Sequence, residues 1–172
     1  MLIKEKLGNL ATIRSNGRSI DRMPVEWYET GKRILHKETG SGREVMLKFL
    51  AESPNLQQDD VLFADDTCLV VVEVLACKVI VLKPETMYQM AFACYEIGNK
   101  HLPLFFEDDC LLIPYEAPIC RMLQAAGFDP QLENRKLLHP LRTTVSPHSH
   151  PEDRKETLFS RIMKLTTAAN DQ

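Results

Sequence analysis

Histidine is the residue whose type and spacing in this chain best suit chemistry, and the chemistry to weigh for it is metal ligation. The five histidines are His36, His101, His139, His148 and His150. His148 and His150 stand two apart in "SPHSHPED", an extended, proline-flanked stretch. Ser149 and Glu152 match a capping box, which places His150 in the first turn of a C-terminal helix. The helix dipole disfavours an imidazolium there, so the ring stays neutral and open to a metal. Glu152, Asp153 and Glu156 are near enough in sequence to add oxygen donors. On residues alone the pair reads equally as a metal site and as a chance H-x-H in a flexible tail. His101, in "YEIGNKHLPLFF", follows a helix stop, where a side chain is held rigidly yet exposed. Without more, a strand-start histidine of no consequence is the simpler reading. His36 reads as an exposed strand residue in a hairpin. His139, beside Pro140, joins a site only if the last strand lies near one.

Other chemistries find little to work with. Cys68, Cys77, Cys94, Cys110 and Cys120 are odd in number and form no C-x-x-C pair. Each sits in a mainly apolar stretch, as small buried hydrophobes do. The chain has no G-x-S-x-G elbow, P-loop, G-x-G-x-x-G or H-E-x-x-H. Cys94 lies seven residues before His101 on the apolar side of a helix, so it reads as core rather than as a nucleophile. Asp108 and Asp109 fall in a turn, where water solvates them. The expectation is a protein that is not an enzyme. A formal net charge of -3 offers no basic excess for phosphates, so no nucleic-acid partner is expected. No apolar run approaches the roughly 20 residues that span a bilayer. The opening "MLIKEKLGNLATIR" lacks the apolar core of a signal peptide. A cytoplasmic protein without a membrane partner is expected.

The positioning elements follow from periodicity. Two strand-like runs flank Thr39-Gly40-Ser41-Gly42, and a second pair turns at Asp65-Asp66. No helical period appears before about residue 83. "CKVIVLKP" is then a strand ended by Pro84. In "ETMYQMAFACYEIGN", Met87, Met90, Ala91, Cys94 and Ile97 recur at helical spacing, with Gly98 as the C-cap glycine. "HLPLFF" and "CLLIPYE" read as strands, "APICRMLQAAGF" as a helix stopped by Gly127, and "NRKLLHPL" as a last strand. The fold class is α+β. A small N-terminal all-β domain, residues 1–75, precedes a ferredoxin-like βαββαβ domain, residues 76–145. Residues 146–172 form a flexible His-containing tail with a short amphipathic helix, striped by Leu158, Phe159, Ile162, Met163 and Leu165.

The stretch "CYEIGNKHLPL" resembles the signature of the UreE family of urease accessory proteins. "EKLGNL" is similar to that family's opening strand, and "DDVLFADD" to the close of its N-terminal β domain. The resemblance implies a nickel metallochaperone that hands Ni²⁺ to the urease assembly. It places the family's metal histidine on His101 and its C-terminal ligands on His148 and His150. It implies that residues 1–75 engage partners and that the ferredoxin-like domain forms a homodimer. The implied partners are a urease-accessory GTPase and the urease apoprotein assembly complex. Two departures stand out: Lys100 replaces the common arginine, and the tail has only His148 and His150 where many relatives have a long histidine-rich run. That points to one delivery site per dimer rather than bulk storage. A two-fold axis doubles every ligand, and imidazole donors suit Ni²⁺, with Zn²⁺ and Cu²⁺ as competing ions. The alternative is a protein-interaction, chaperone-like module with incidental metal binding.

Overall fold

The computed structural model describes residues 1–50 and 53–141. His148, His150 and the expected C-terminal amphipathic helix lie outside the described residues.

Alternating apolar and polar positions make the first half of the chain a set of strands. These are β1 (Leu2–Ile3), β2 (Gly8–Asn9), β3 (Ser19–Val25), β4 (Ile34–Glu38), β5 (Glu44–Lys48), β6 (Asp60–Ala64) and β7 (Cys68–Val74). They form a three-stranded sheet in the order β1-β5-β4 and a four-stranded sheet in the order β2-β6-β7-β3. A shared core holds Ile3, Met23, Val25, Leu35, Val45, Leu47 and Val72. The two expected hairpins form. Gly42 takes φ +84° in the first, and Asp65 accepts from the backbone N–H groups of Thr67 and Cys68 in the second. Two pairings escaped sequence reading: β3 runs parallel to β7, and β1 parallel to β5.

β8 (Ala76–Leu82), α1 (Met87–Asn99), β9 (Phe105–Glu107), β10 (Cys110–Pro114), α2 (Ala117–Ala125) and β11 (Gln131–Lys136) complete the chain. Their sheet runs β11-β8-β10-β9, with every neighbouring pair antiparallel. This is the expected ferredoxin-like arrangement. The turn between β9 and β10 uses Asp108 and Asp109, both left-handed with φ 49° and 59°, as a two-residue hairpin of the primed type requires. Both helices cover one sheet face, where Ile80, Ile97, Leu111, Ile113, Ile119 and Leu123 meet. The last strand begins earlier than "NRKLLHPL" suggests, because Gln131 to Lys136 pair in register with Val81 to Ala76.

Val79, Val81, Phe105 and Leu112 on the other face of this sheet pack with Trp27. Trp27 also packs on the core of the first two sheets, and its ring meets Phe105 edge-on at 5.6 Å. Residues 1–141 form one compact unit through such contacts. No helix among the described residues is long and apolar enough to cross a membrane.

Candidate metal-binding site

Everything that positions His101 is built into the last turn of α1. The helix starts at Thr86, whose hydroxyl accepts from the Gln89 N–H at 3.1 Å, a side-chain N-cap. Its inward stripe is Met90, Ala93, Cys94 and Ile97, packed on the sheet. Met90, Cys94 and Ile97 of the sequence reading lie on this stripe, whereas Met87, 84% exposed, and Ala91, also exposed, do not. The helix carries two apolar stripes, and only one faces this chain's core.

The C-terminus differs from expectation too. Gly98 lies inside the helix with ordinary backbone angles and is not the left-handed cap. Lys100 is the C-cap, and His101 takes the left-handed conformation at φ 54°. The His101 N–H donates to the Gly98 carbonyl at 2.9 Å, and the Leu102 N–H to the Ile97 carbonyl at 3.4 Å. Those two bonds make a Schellman motif, usually completed by glycine at the left-handed position. Leu102 packs against the core that contains Ile97, the hydrophobic contact that accompanies this cap. His101 itself is exposed. Its imidazole thus sits on a corner whose backbone is held by two hydrogen bonds and a half-buried leucine. The spacing of Ile97 and Leu102 was the signal that could have found it.

A second element arrives at the same edge. Phe106 donates its N–H to the His139 carbonyl at 3.1 Å, and Leu141 donates to the Leu104 carbonyl at 2.8 Å. Between them Phe105 and Pro140 form an antiparallel bridge. The chain therefore runs along β9 toward His101 as it approaches residue 142. His139 is exposed and level with Phe106, at the far end of that bridge from His101. His36, exposed on β4, belongs to another sheet. The structure brings neither to His101.

Among the described residues no group of three or more His, Cys, Asp or Glu side chains could hold a metal ion. His101 is one donor, and a divalent cation at this corner needs others, from the tail or from a second copy. The corner also lacks an activated thiol. Burial pushes the Cys94 thiol pKa up, and burial with the nearby Glu26 does the same for Cys77. Both stay protonated at neutral pH and are poor nucleophiles.

Comparison with known proteins agrees with this layout. A family model described as the UreE urease accessory protein N-terminal domain matches residues 3–75, and one for the C-terminal domain matches residues 76–156. The urease accessory protein UreE of Flavobacterium johnsoniae is 40% identical over 165 residues, covering 96% of this chain and 99% of that protein. The UreE of Haemophilus influenzae strain PittEE is 45% identical over 145 residues, 82% of this chain and 78% of that protein. The UreE of Helicobacter pylori is 32% identical over 156 residues, 88% of this chain and 91% of that protein.

Proposed function

This chain belongs to the UreE family of urease accessory proteins, and from that premise we propose that it is a cytoplasmic nickel metallochaperone for urease maturation. Ni²⁺ is its cargo. His101 of each chain in a homodimer supplies two donors, and His148 or His150 supplies the others. Residues 76–145 hold the dimer contact and the anchor, residues 146–172 carry the closing ligands, and residues 1–75 engage the assembly. The receiving partners are a urease-accessory GTPase and the urease apoprotein complex.

The observation that supports this reading best is the exposed left-handed His101 at a hydrogen-bonded helix corner. A donor fixed in space costs little entropy to bind, while donors on the tail release the ion without unfolding the domain. Single imidazoles on one chain are too few, so a two-fold axis that pairs them is part of the proposal. Imidazole and carboxylate donors without thiolate suit Ni²⁺, and Cu²⁺ competes on intrinsic affinity.

Calorimetric titration with Ni²⁺ tests it. The wild-type chain is expected to show one tight site per dimer, and His101→Ala is expected to lose it. The proposal fails if His101→Ala binds nickel as wild type does, or if the tight site saturates at one ion per chain.

A further inference from the structure

The ferredoxin-like sheet treats its two edges differently. Along β9 the returning chain closes the edge. There the Phe106 N–H donates to the His139 carbonyl, the Leu141 N–H to the Leu104 carbonyl, and Phe105 bridges Pro140. The opposite edge is β11, six residues long against three for β9. It pairs with β8 in unbroken register, with no bulge and no proline to blunt it.

Alternation along the strands fixes which backbone groups of β11 are free. The Tyr115 N–H donates to the Lys78 carbonyl, so Lys78 and Ile80 turn their backbone groups toward β10. Cys77, Val79 and Val81 then turn theirs toward β11, where they meet Arg135, Glu133 and Gln131. The N–H and C=O groups of Leu132 and Asn134 point away from the sheet, and among the described residues no backbone group bonds to them.

A groove of about 810 Å³ runs beside this open edge. Val81 and Cys110 of the helix-free face line it, with Gln131, Glu133 and Arg135, the β11 side chains on that same face. A free edge beside a groove suits an extended polypeptide: main-chain bonds hold it, and every second side chain enters the groove. Charge says which kind. Glu133 and Glu107 already hold the Arg135 guanidinium. The other charged lining residues are Glu85, Asp108 and Asp129 against Lys83, and no ion pair among the described residues engages them. That acid excess favours a basic strand. A second copy of β11 fits less well, because Glu133 and Arg135 on its matching face cancel.

We propose that β11 is a docking edge for an extended segment of another protein, with basic residues at alternate positions. The segment adds a fifth strand to the sheet, bonds to the backbone of Leu132 and Asn134, and sets its basic side chains over the groove. This docking edge does not rest on the nickel reading.

The probe is the capped hexapeptide Lys-Val-Lys-Val-Lys-Val, titrated by calorimetry into the full chain, with amide hydrogen exchange followed by NMR. Saturable binding is expected, and exchange at Leu132 and Asn134 should slow by about tenfold or more. Methylating every second backbone nitrogen of the peptide, in its two possible phases, should abolish binding in one phase and spare the other. Glu85→Lys with Asp129→Lys, both exposed positions, should weaken the basic peptide by about tenfold or more. The proposal is overturned if the basic peptide does not bind. It is overturned if both methylated phases bind as the parent does, since the contact is then charge alone, or if Glu-Val-Glu-Val-Glu-Val binds wild type as well. Slow exchange at Leu132 and Asn134 in the peptide-free chain would also overturn it, because the edge would then be covered by the chain itself or by its own copy.

Discussion

The Leu141 N–H donates to the Leu104 carbonyl at 2.8 Å, which ties the end of the described chain to a point three residues past His101. His148 and His150 follow in the sequence and are the further donors proposed above. Removing residues 146–172 is expected to weaken nickel binding by about tenfold or more, on the order of 1.4 kcal/mol, and to leave the dimer intact. Calorimetry and light scattering on the truncated chain check both halves. Dissociation to monomers would count against placing the dimer contact on the ferredoxin-like domain.

How far the sequence could be read depended on the range of the forces involved. The hairpins at Thr39–Gly42 and Asp65–Asp66 and the βαββαβ order were legible, because turn chemistry and apolar period are local. The parallel pairing of β3 with β7 was not, because Ile20 and Leu69 meet only through the tertiary fold. Two positions of α1, Met87 and Ala91, were misplaced for a different reason. Met87, Ala91 and Tyr95 form a second apolar stripe overlapping that of Met90, Ala93, Cys94 and Ile97, and periodicity cannot rank two stripes. Nor could it find the cap. Gly98 and Asn99 are the better left-handed residues by type, yet burial of Leu102 against the Ile97 core decides which position turns. His101 as a candidate was legible; the conformation that holds it was signalled only by the spacing of Ile97 and Leu102.

Acid stability should trace to Asp21. Burial pushes its carboxyl pKa up, but hydrogen bonds from Ser41 and Thr39 outweigh burial and hold it below the usual value. The carboxylate accepts from the Thr39 hydroxyl at 2.7 Å and the Ser41 N–H at 3.1 Å. Its folded pKa lies below the unfolded one, so its contribution is complete above the unfolded value, about 4, and fades as pH falls through the folded value. Asp21→Asn is expected to cost about 1–3 kcal/mol near neutrality and to flatten the loss of melting temperature below about pH 4. Asp59, lowered by Arg22 and Gln58 against the opposing effect of burial, should keep part of that slope. Melting curves across pH 2–7 decide it, and an unchanged slope in Asp21→Asn would remove Asp21 from the account.

Trp27, the only tryptophan, packs on the core of the first two sheets and on the Phe105 side of the third. Among the described residues, no other side chain packs on both clusters. Trp27→Ala is expected to cost about 3 kcal/mol and to split one urea transition into two, as the sheets lose their shared packing. Circular dichroism follows the unfolding. A single transition with an unchanged midpoint would show that the sheets are coupled elsewhere.

His101 carries two separable burdens, and substitution can part them. Its left-handed backbone costs a side chain about 1 kcal/mol or more, which glycine does not pay. Its imidazole is the proposed anchor for Ni²⁺. His101→Ala removes the ring and keeps the strain; His101→Gly removes both. The two variants should therefore lose nickel binding equally, while without metal His101→Gly melts about 2–4 °C above His101→Ala. Asparagine, which tolerates this conformation, should fall between them in stability and bind no better. Calorimetry for nickel and metal-free melting curves separate the effects. Equal melting temperatures for the alanine and glycine variants would mean that the corner relaxes when the ring is gone, and that the ring itself holds the left-handed turn. Equal loss of nickel with unequal melting temperatures would locate the function in the imidazole and its rigidity in the Ile97–Leu102 cap.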